Sequence, residues 1–181
     1  LFTIPEVVEK IEKGISYISP LSWLYSRPYR QVVRREMELA SVNSDATVLN
    51  IGCGAVPFTA RFVVQQTGAG VIAVDTDSRA VDRASRLVQT WGMADRIELR
   101  HVDATKLLDV DFDLALVALQ AQPKTAIFER LSEIAPAGRA IFRRPAAGYQ
   151  DHYDALPEQP RPAAYVEQDM KTFDRSVLYD L

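Results

Sequence analysis

Two glycines, Gly52 and Gly54 in the run VLNIGCG at 48–54, are the first residues whose type and spacing point to chemistry. A glycine-rich turn between a strand and the next helix is where an open α/β sheet holds a nucleotide-like ligand. Lacking Cβ atoms, Gly52 and Gly54 let the backbone come close to such a ligand. A dinucleotide grip needs a third glycine at position 57, where this chain has Pro57. Proline offers no N–H and its ring fills the space in which helix and strand would pack closely. A pyrophosphate seeks free amides at a helix start, so the turn disfavours NAD or FAD and leaves a phosphate-free ligand open. Two glycines alone also suit a tight turn with no ligand. Asp75 adds to the case: it ends the run VIAVD, 21 residues past Gly54, where a carboxylate can take both ribose hydroxyls. Asp103, near the end of a third apolar run, is placed to accept a hydrogen bond from an exocyclic adenine amine. The competing role for each acid is a helix N-cap or a solvated strand end, and that is the role expected of Asp77.

These residues need a scaffold that carries strand ends to one edge, and the pattern from residue 47 onward supplies it. TVLNI, VIAVD, IELRHVDA, DLALVAL and AIFRRP read as five strands, at 47–51, 71–75, 97–104, 113–119 and 140–145. Helices are expected between them: TARFVVQQTG closed by Gly68, TDSRAVDRASRLVQTWG capped by Asp77 or Ser78 and ended by Gly92, and one around 123–134. Apolar strands alternating with helices argue for a parallel sheet covered on both faces. AAYVEQDM and FDRSVLYDL face each other across Lys171 as a terminal antiparallel hairpin. Upstream, Val8, Ile11, Ile15 and Ile18 predict a helix over 5–18, weakened by Gly14. Val32, Val33, Met37 and Ala40 predict a second helix over 28–40, opposite Arg30, Arg34, Arg35 and Glu38. Between them SPLSWLYSRPYR reads as a proline-bracketed connector whose Trp23, Tyr25 and Tyr29 either pack or cover a pocket. The expected organisation is therefore a helical extension, 1–44, on a ligand-binding α/β unit, 45–181.

Composition removes other classes. The 181 residues, 48% hydrophobic and 25% charged, are ordinary for one globular domain. A net charge of −3 gives no electrostatic footprint for nucleic acid. Cys53 is the single cysteine, so no internal disulfide forms, and with only His101 and His152 no metal site is expected. The single cysteine fits a reducing, cytoplasmic setting; no apolar stretch is long enough to span a membrane, and LFTIPEVVEK lacks the layout of a secretory signal. Ser-His-Asp, Walker and HExxH patterns are absent.

The ordered set VLNIGCG at 48–54, VIAVDTD at 71–77, IELRHVDAT at 97–105, FDLALVAL at 112–119 and APAGRAIFR at 135–143 resembles the class I S-adenosylmethionine-dependent methyltransferases. That resemblance implies a Rossmann-like, mostly parallel sheet of seven strands with one reversed. It places the methionine moiety of S-adenosylmethionine over Gly52 and Gly54, the ribose on Asp75, and the adenine near Thr76, Asp103 and Ala104. Asn50, Cys53 and Leu119 complete the expected cofactor set. Asn50 stands where the family usually has an acid, giving up a charge-assisted hydrogen bond that is roughly twice as strong as a neutral one. Cys53 is read as a small residue fitting the loop, not as a nucleophile.

The string GCGAVPFTA and the segment RRPAAG at 143–148 are similar to nicotianamine synthases, which transfer the aminocarboxypropyl group of the same cofactor. Their catalytic glutamate and tyrosine lie upstream of the glycine loop, where Glu6, Glu9, Tyr25 and Tyr29 are available. The expected function is an S-adenosylmethionine-dependent methyltransferase acting on a small molecule, with S-adenosylhomocysteine as product. Aminocarboxypropyl transfer is the alternative, and a non-catalytic cofactor-binding module a further one. Tyr29, Tyr25 and Tyr149 are the candidate catalytic residues. His152, with Tyr149, Asp151 and Tyr153, lies in a loop that either faces the acceptor or is simply solvated. His101 is expected mid-strand and packed. Arg143 and Arg144 are expected to follow the fifth strand, meeting an acidic acceptor or pairing elsewhere. Neither nucleic acid nor membrane is an expected partner, and a homodimer is compatible with the sequence.

Overall fold

A computed structural model describes residues 20–181 of the chain, with side chains from residue 28 onward. The expected helix over 5–18, Glu6, Glu9 and the side chains of Trp23 and Tyr25 lie outside the described residues. Short runs rich in Val, Ile, Leu and Ala, each stopped by a turn, form β1 (Thr47–Ile51), β2 (Gly70–Asp75), β3 (Ile97–His101), β4 (Leu114–Val117) and β5 (Arg139–Pro145). β6 (Ala164–Glu167) and β7 (Phe173–Asp180) follow as the terminal hairpin. They pair in the order β3-β2-β1-β4-β5-β7-β6. β1 to β5 are mutually parallel, and β7 runs antiparallel to both β5 and β6, so one strand is reversed. The fold is the expected Rossmann-like, seven-stranded, mostly parallel sheet. Strand order reverses between β1 and β4, and beyond their carboxyl ends lies the crevice where such sheets bind ligands.

Because successive side chains of a strand face opposite sides, each buried strand feeds two cores. Val48, Val71, Ala73 and Leu116 meet Val33 and Met37 of α1 (Pro20–Leu39) and Ala60 and Val63 of α2 (Phe58–Thr67) on one face. Val88 of α3 (Ser78–Thr90) joins the same face. Leu49, Ala115, Val117 and Phe142 meet Ile127, Phe128 and Leu131 of α4 (Lys124–Ile134) on the other. The turn chemistry follows the sequence. Gly68 takes the left-handed position that ends α2, and its N–H reaches the Val64 carbonyl at 2.9 Å. Asp77 caps α3, its Oδ1 accepting from the Arg79 N–H at 2.8 Å.

Three expectations are corrected. The predicted connector over 19–30 is helical from Pro20 onward, so that α1 begins well before residue 28 and carries Pro28 in its interior. An interior proline removes one backbone hydrogen bond and costs about 3 kcal/mol. Burial of Val32, Val33, Met37 and Ala40 against the sheet offsets that cost. His101 is not packed in mid-strand; it ends β3, exposed, with Nε2 3.0 Å from the Thr76 carbonyl oxygen. β3 is an edge strand, where alternate side chains such as Glu98 reach solvent. Arg143 and Arg144 lie within β5, not after it, because β7 continues the ladder alongside them.

Candidate functional site

The glycine loop leaves the carboxyl end of β1 and is pinned to the end of β2. The N–H groups of Gly52 and Cys53 both donate to the Val74 carbonyl, at 2.9 and 3.1 Å. The Gly54 N–H donates to Asp75 Oδ2 at 2.8 Å, and the Asp77 N–H donates to Asp75 Oδ1 at 3.0 Å. Each carboxylate oxygen has two lone pairs, so Asp75 keeps acceptor capacity for ligand hydroxyls while it shapes the loop. The two glycines serve different ends. At Gly52 (φ +76°) an added Cβ would stand 3.1 Å from the Ala118 Cβ, so the absent side chain lets this loop pack on the one after β4. At Gly54 (φ +65°) an added Cβ would meet nothing within 4 Å among the described residues, and the backbone there is open on that side.

Beneath the loop, Asn50 is 2% exposed and its Oδ1 has no hydrogen-bond partner among the described residues. An unpaired buried acceptor costs about 1–3 kcal/mol, which a ligand's amino group would relieve. Cys53 is buried, and burial together with the charge of Asp75 pushes its thiol up to about 12, against a smaller opposing backbone hydrogen bond. It is a neutral thiol at physiological pH. Val102 N–H donates to the Asp75 carbonyl at 3.0 Å, which sets the next segment beside the site. There Asp103 Oδ1 accepts from the N–H and the hydroxyl of Thr105, at 3.0 and 2.8 Å, capping the short turn Ala104–Lys106. Those bonds hold the Asp103 carboxyl below the usual range. Ala104 is buried behind it and Thr76 is exposed at the rim.

A second group of residues gathers over β4 and β5. Leu119, Val32 and Phe173 form a small buried cluster against which Tyr29, Tyr153 and Met170 pack. Tyr29 meets the Phe173 ring edge-on at 6.4 Å. Burial, then the neighbouring phenols of Tyr149 and Tyr29, push the Tyr153 hydroxyl above the ordinary tyrosine value. Tyr149 and His152 approach within 6.2 Å between ring centroids, and His152 and Asp151 are exposed. The structure thus brings Tyr29 and Tyr153 together beside Leu119, with Tyr149 next to Tyr153. Lys124, fully buried at the start of α4, holds the Leu119 loop from below. Its Nζ donates to the Leu119 and Ala121 carbonyls at 2.8 and 3.2 Å.

Sequence reasoning missed the group that ties the two halves together. Glu36 of α1 is completely buried and pairs with Arg143 of β5, Nε to Oε1 and Nη2 to Oε2, each at 2.9 Å. Arg143 Nη1 also donates to the Tyr29 hydroxyl at 3.0 Å. The Ser176 hydroxyl donates to Glu36 Oε1 at 2.7 Å, and Gln168 Nε2 donates to Ser176 Oγ at 3.0 Å. Burial alone would push the Arg143 guanidinium down; the charge of Glu36, the neighbouring Tyr29 phenol and the Glu36 hydrogen bonds outweigh it and hold it above the ordinary arginine value. A signal did exist: Glu36 falls three residues after Val33 and four before Ala40, on the apolar stripe of its helix. Arg144 pairs instead with Asp174 of β7, at 2.7 Å. Among the described residues, no helix is long and apolar enough to cross a membrane.

Comparison with known proteins places this arrangement. The L-histidine 2-aminobutanoyltransferase of Pseudomonas aeruginosa is 25% identical over 129 residues, 71% of this chain and 49% of that protein. The protein of the same description from Yersinia pestis is 32% identical over 108 residues, 59% of this chain and 40% of that protein. The chain spans about half the length of the curated relatives it matches. Among solved structures, a mutant of MtNAS, a nicotianamine synthase, superposes with a TM-score of 0.80 at 23% identity, covering 94% of this chain and 68% of the other. An RNA methyltransferase from Salinibacter ruber, in complex with S-adenosyl-L-homocysteine, gives 0.67 at 19% identity, covering 82% and 89%. Both likenesses are of fold. The family model described as Methyltransferase domain matches residues 48–138, half of the chain, from the strand that enters the glycine loop to the turn before β5, and by that match the chain belongs to the methyltransferase domain family.

Proposed function

We propose that the chain is an S-adenosylmethionine-dependent transferase that moves the aminocarboxypropyl group to a small-molecule amine. When bound, S-adenosylmethionine supplies a sulfonium from which a carbon group passes to a nucleophile while the sulfur leaves as a neutral thioether. The residues present fit that group: Asp75 for the ribose hydroxyls, the open face of Gly54 for the methionyl backbone, and the orphaned Asn50 Oδ1 for its amino group. Thr76, Asp103 and Ala104 line the adenine end in this reading, and Leu119 lies between cofactor and acceptor. Such a transfer needs its nucleophile held near attack distance and shielded from water; an amine must also reach the carbon unprotonated, and the proton released as the C–N bond forms passes to a base or to solvent. The neutral Cys53 thiol serves the same end, because a thiolate beside a sulfonium would be alkylated.

The observation that carries this reading is that α1, outside the matched residues 48–138, places Tyr29 at the sheet edge beside Leu119. Tyr29 and Tyr149 are then the acceptor-facing residues, with Tyr25 on the same helix. The curated relatives, named for 2-aminobutanoyl transfer to L-histidine, support an amino-acid-like amine as acceptor. The structural neighbour MtNAS has been crystallised with S-adenosylmethionine, and also with MTA and tNA. Methyl transfer to a small molecule is the second reading, favoured by the family match itself.

The by-product separates them. Mass spectrometry of the protein incubated with S-adenosylmethionine and amines such as L-histidine should show methylthioadenosine for aminocarboxypropyl transfer. S-adenosylhomocysteine would favour methyl transfer instead. Calorimetry showing tight NAD binding and none for S-adenosylmethionine would overturn both.

A further inference from the structure

The Glu36–Arg143 pair is expensive to bury and lies beside the site without touching the glycine loop. Removing both charges from water costs several kcal/mol per ion, repaid only by close geometry and further hydrogen bonds. Here the geometry is close, with two 2.9 Å contacts and Ser176 on the same carboxylate. The fork has one arm left over. Arg143 Nη1 donates to the Tyr29 hydroxyl at 3.0 Å, and the guanidinium carbon sits 5.1 Å from the Tyr29 ring centre and 5.4 Å from that of Phe173.

A guanidinium has five N–H donors and no lone pair to offer. In the contact with Arg143 the Tyr29 oxygen must therefore be the acceptor, and its own proton has to point elsewhere. Among the described residues Tyr29 Oη makes no other hydrogen bond: Val32, Leu119 and Phe173 beside it offer apolar side chains, and the Tyr153 phenol, which packs on the same cluster, makes no hydrogen bond to it. We infer that Arg143, locked by Glu36, is a positioning residue that turns the Tyr29 hydroxyl outward as a hydrogen-bond donor to an acceptor-bearing group of the bound substrate. This rests on the tyrosine edge being the acceptor site proposed above. Glu36 fixes the fork, Arg143 fixes the phenol oxygen, and Tyr29 touches the substrate.

The test uses the full chain. With tyrosine labelled at Cζ, the Tyr29 carbon signal, identified by its loss in Tyr29→Phe, should move in Arg143→Lys, which keeps the charge and removes the fork. The other tyrosine signals should stay. A Tyr29 signal that does not move overturns the proposal. In steady-state assays, Arg143→Lys should lower kcat about 10- to 100-fold, the worth of one charge-assisted hydrogen bond, with S-adenosylmethionine affinity nearly unchanged. Placed in the Tyr29→Phe background the same change should cost less than about threefold, because both act through one hydroxyl. A full further loss in that background overturns the proposal as well. If Arg143→Lys does not fold, Glu36→Gln unlocks the fork with Arg143 in place and is read by the same carbon signal. If the wild-type protein neither binds S-adenosylmethionine nor transfers a group, the proposed function fails, while the carbon signal still decides the positioning role.

Discussion

Arg143→Met isolates the energetics of the buried pair. The guanidinium is 4% exposed and Glu36 is 0% exposed, so water cannot replace the lost partner. With Arg143 gone, Glu36 keeps a single described donor, the Ser176 hydroxyl at 2.7 Å. Breaking a buried pair from one side costs about 3–5 kcal/mol, because the remaining charge stays desolvated. For a chain of this size that corresponds to a fall in Tm of about 6–20 °C. Replacing both residues, Glu36→Leu with Arg143→Met, removes the stranded charge. Such exchanges are often neutral or better, but here the Ser176 hydroxyl loses its acceptor and Tyr29 its donor. The double variant should therefore fall within about 2 kcal/mol of wild type. Urea unfolding followed by circular dichroism at neutral pH measures all three, with equal m-values as the check that unfolding stays two-state. Raising the salt should change little, since a buried pair is poorly screened. A single variant costing less than about 1 kcal/mol, or a double variant costing as much as the single one, would refute the reasoning.

Asp75→Asn should weaken S-adenosylmethionine binding about 10- to 100-fold by calorimetry, since its charged contacts to ribose become neutral while the Gly54 contact can persist; an unchanged affinity would remove Asp75 from the site. Gly52→Ala forces a Cβ to 3.1 Å from that of Ala118 at φ +76°, and should cost at least about 1–2 kcal/mol in denaturant melts, whereas wild-type stability would show the loop to be looser than described. Cys53 should resist alkylation at pH 8, reacting about 10- to 100-fold more slowly than an ordinary thiol of the same exposure, because a thiol pushed up to about 12 from the ordinary 9.0 forms far less thiolate, only partly offset by the greater nucleophilicity of each. The same shift has a direction in stability. The unfolded chain gives up its thiol proton first as pH rises, so the contribution of Cys53 is complete below 9.0 and is lost toward about 12. Stability that stays flat across that window in wild type, or falls equally in Cys53→Ala, would contradict it.

Local patterns in the sequence carried the scaffold a long way. The apolar runs, the glycine turn, the cap at Asp77 and the closure at Gly68 depend on residues within a few positions of one another, and each stands where the pattern puts it. The start of α1 did not, because two prolines argue for a connector locally while the apolar face of Val32, Val33, Met37 and Ala40 holds the helix from outside. His101 was misplaced for a related reason: a strand's edge position comes from the order of pairing, which no window of β3 contains.

The amino-acid sequence by itself determined a parallel sheet with a loop built for close backbone approach and an acid at the end of the second strand. Only the tertiary structure decided what surrounds that loop. Glu36 and Arg143 lie 107 residues apart, and Tyr29 and Arg143 lie 114 apart. Neither residue type announces a partner, since a lone glutamate on a helix or an arginine in a strand is usually solvated. Packing α1 across β5 removes water from both at once, and in that dry space the charges must meet each other. The same packing carries the Tyr29 hydroxyl to the edge where the strands end.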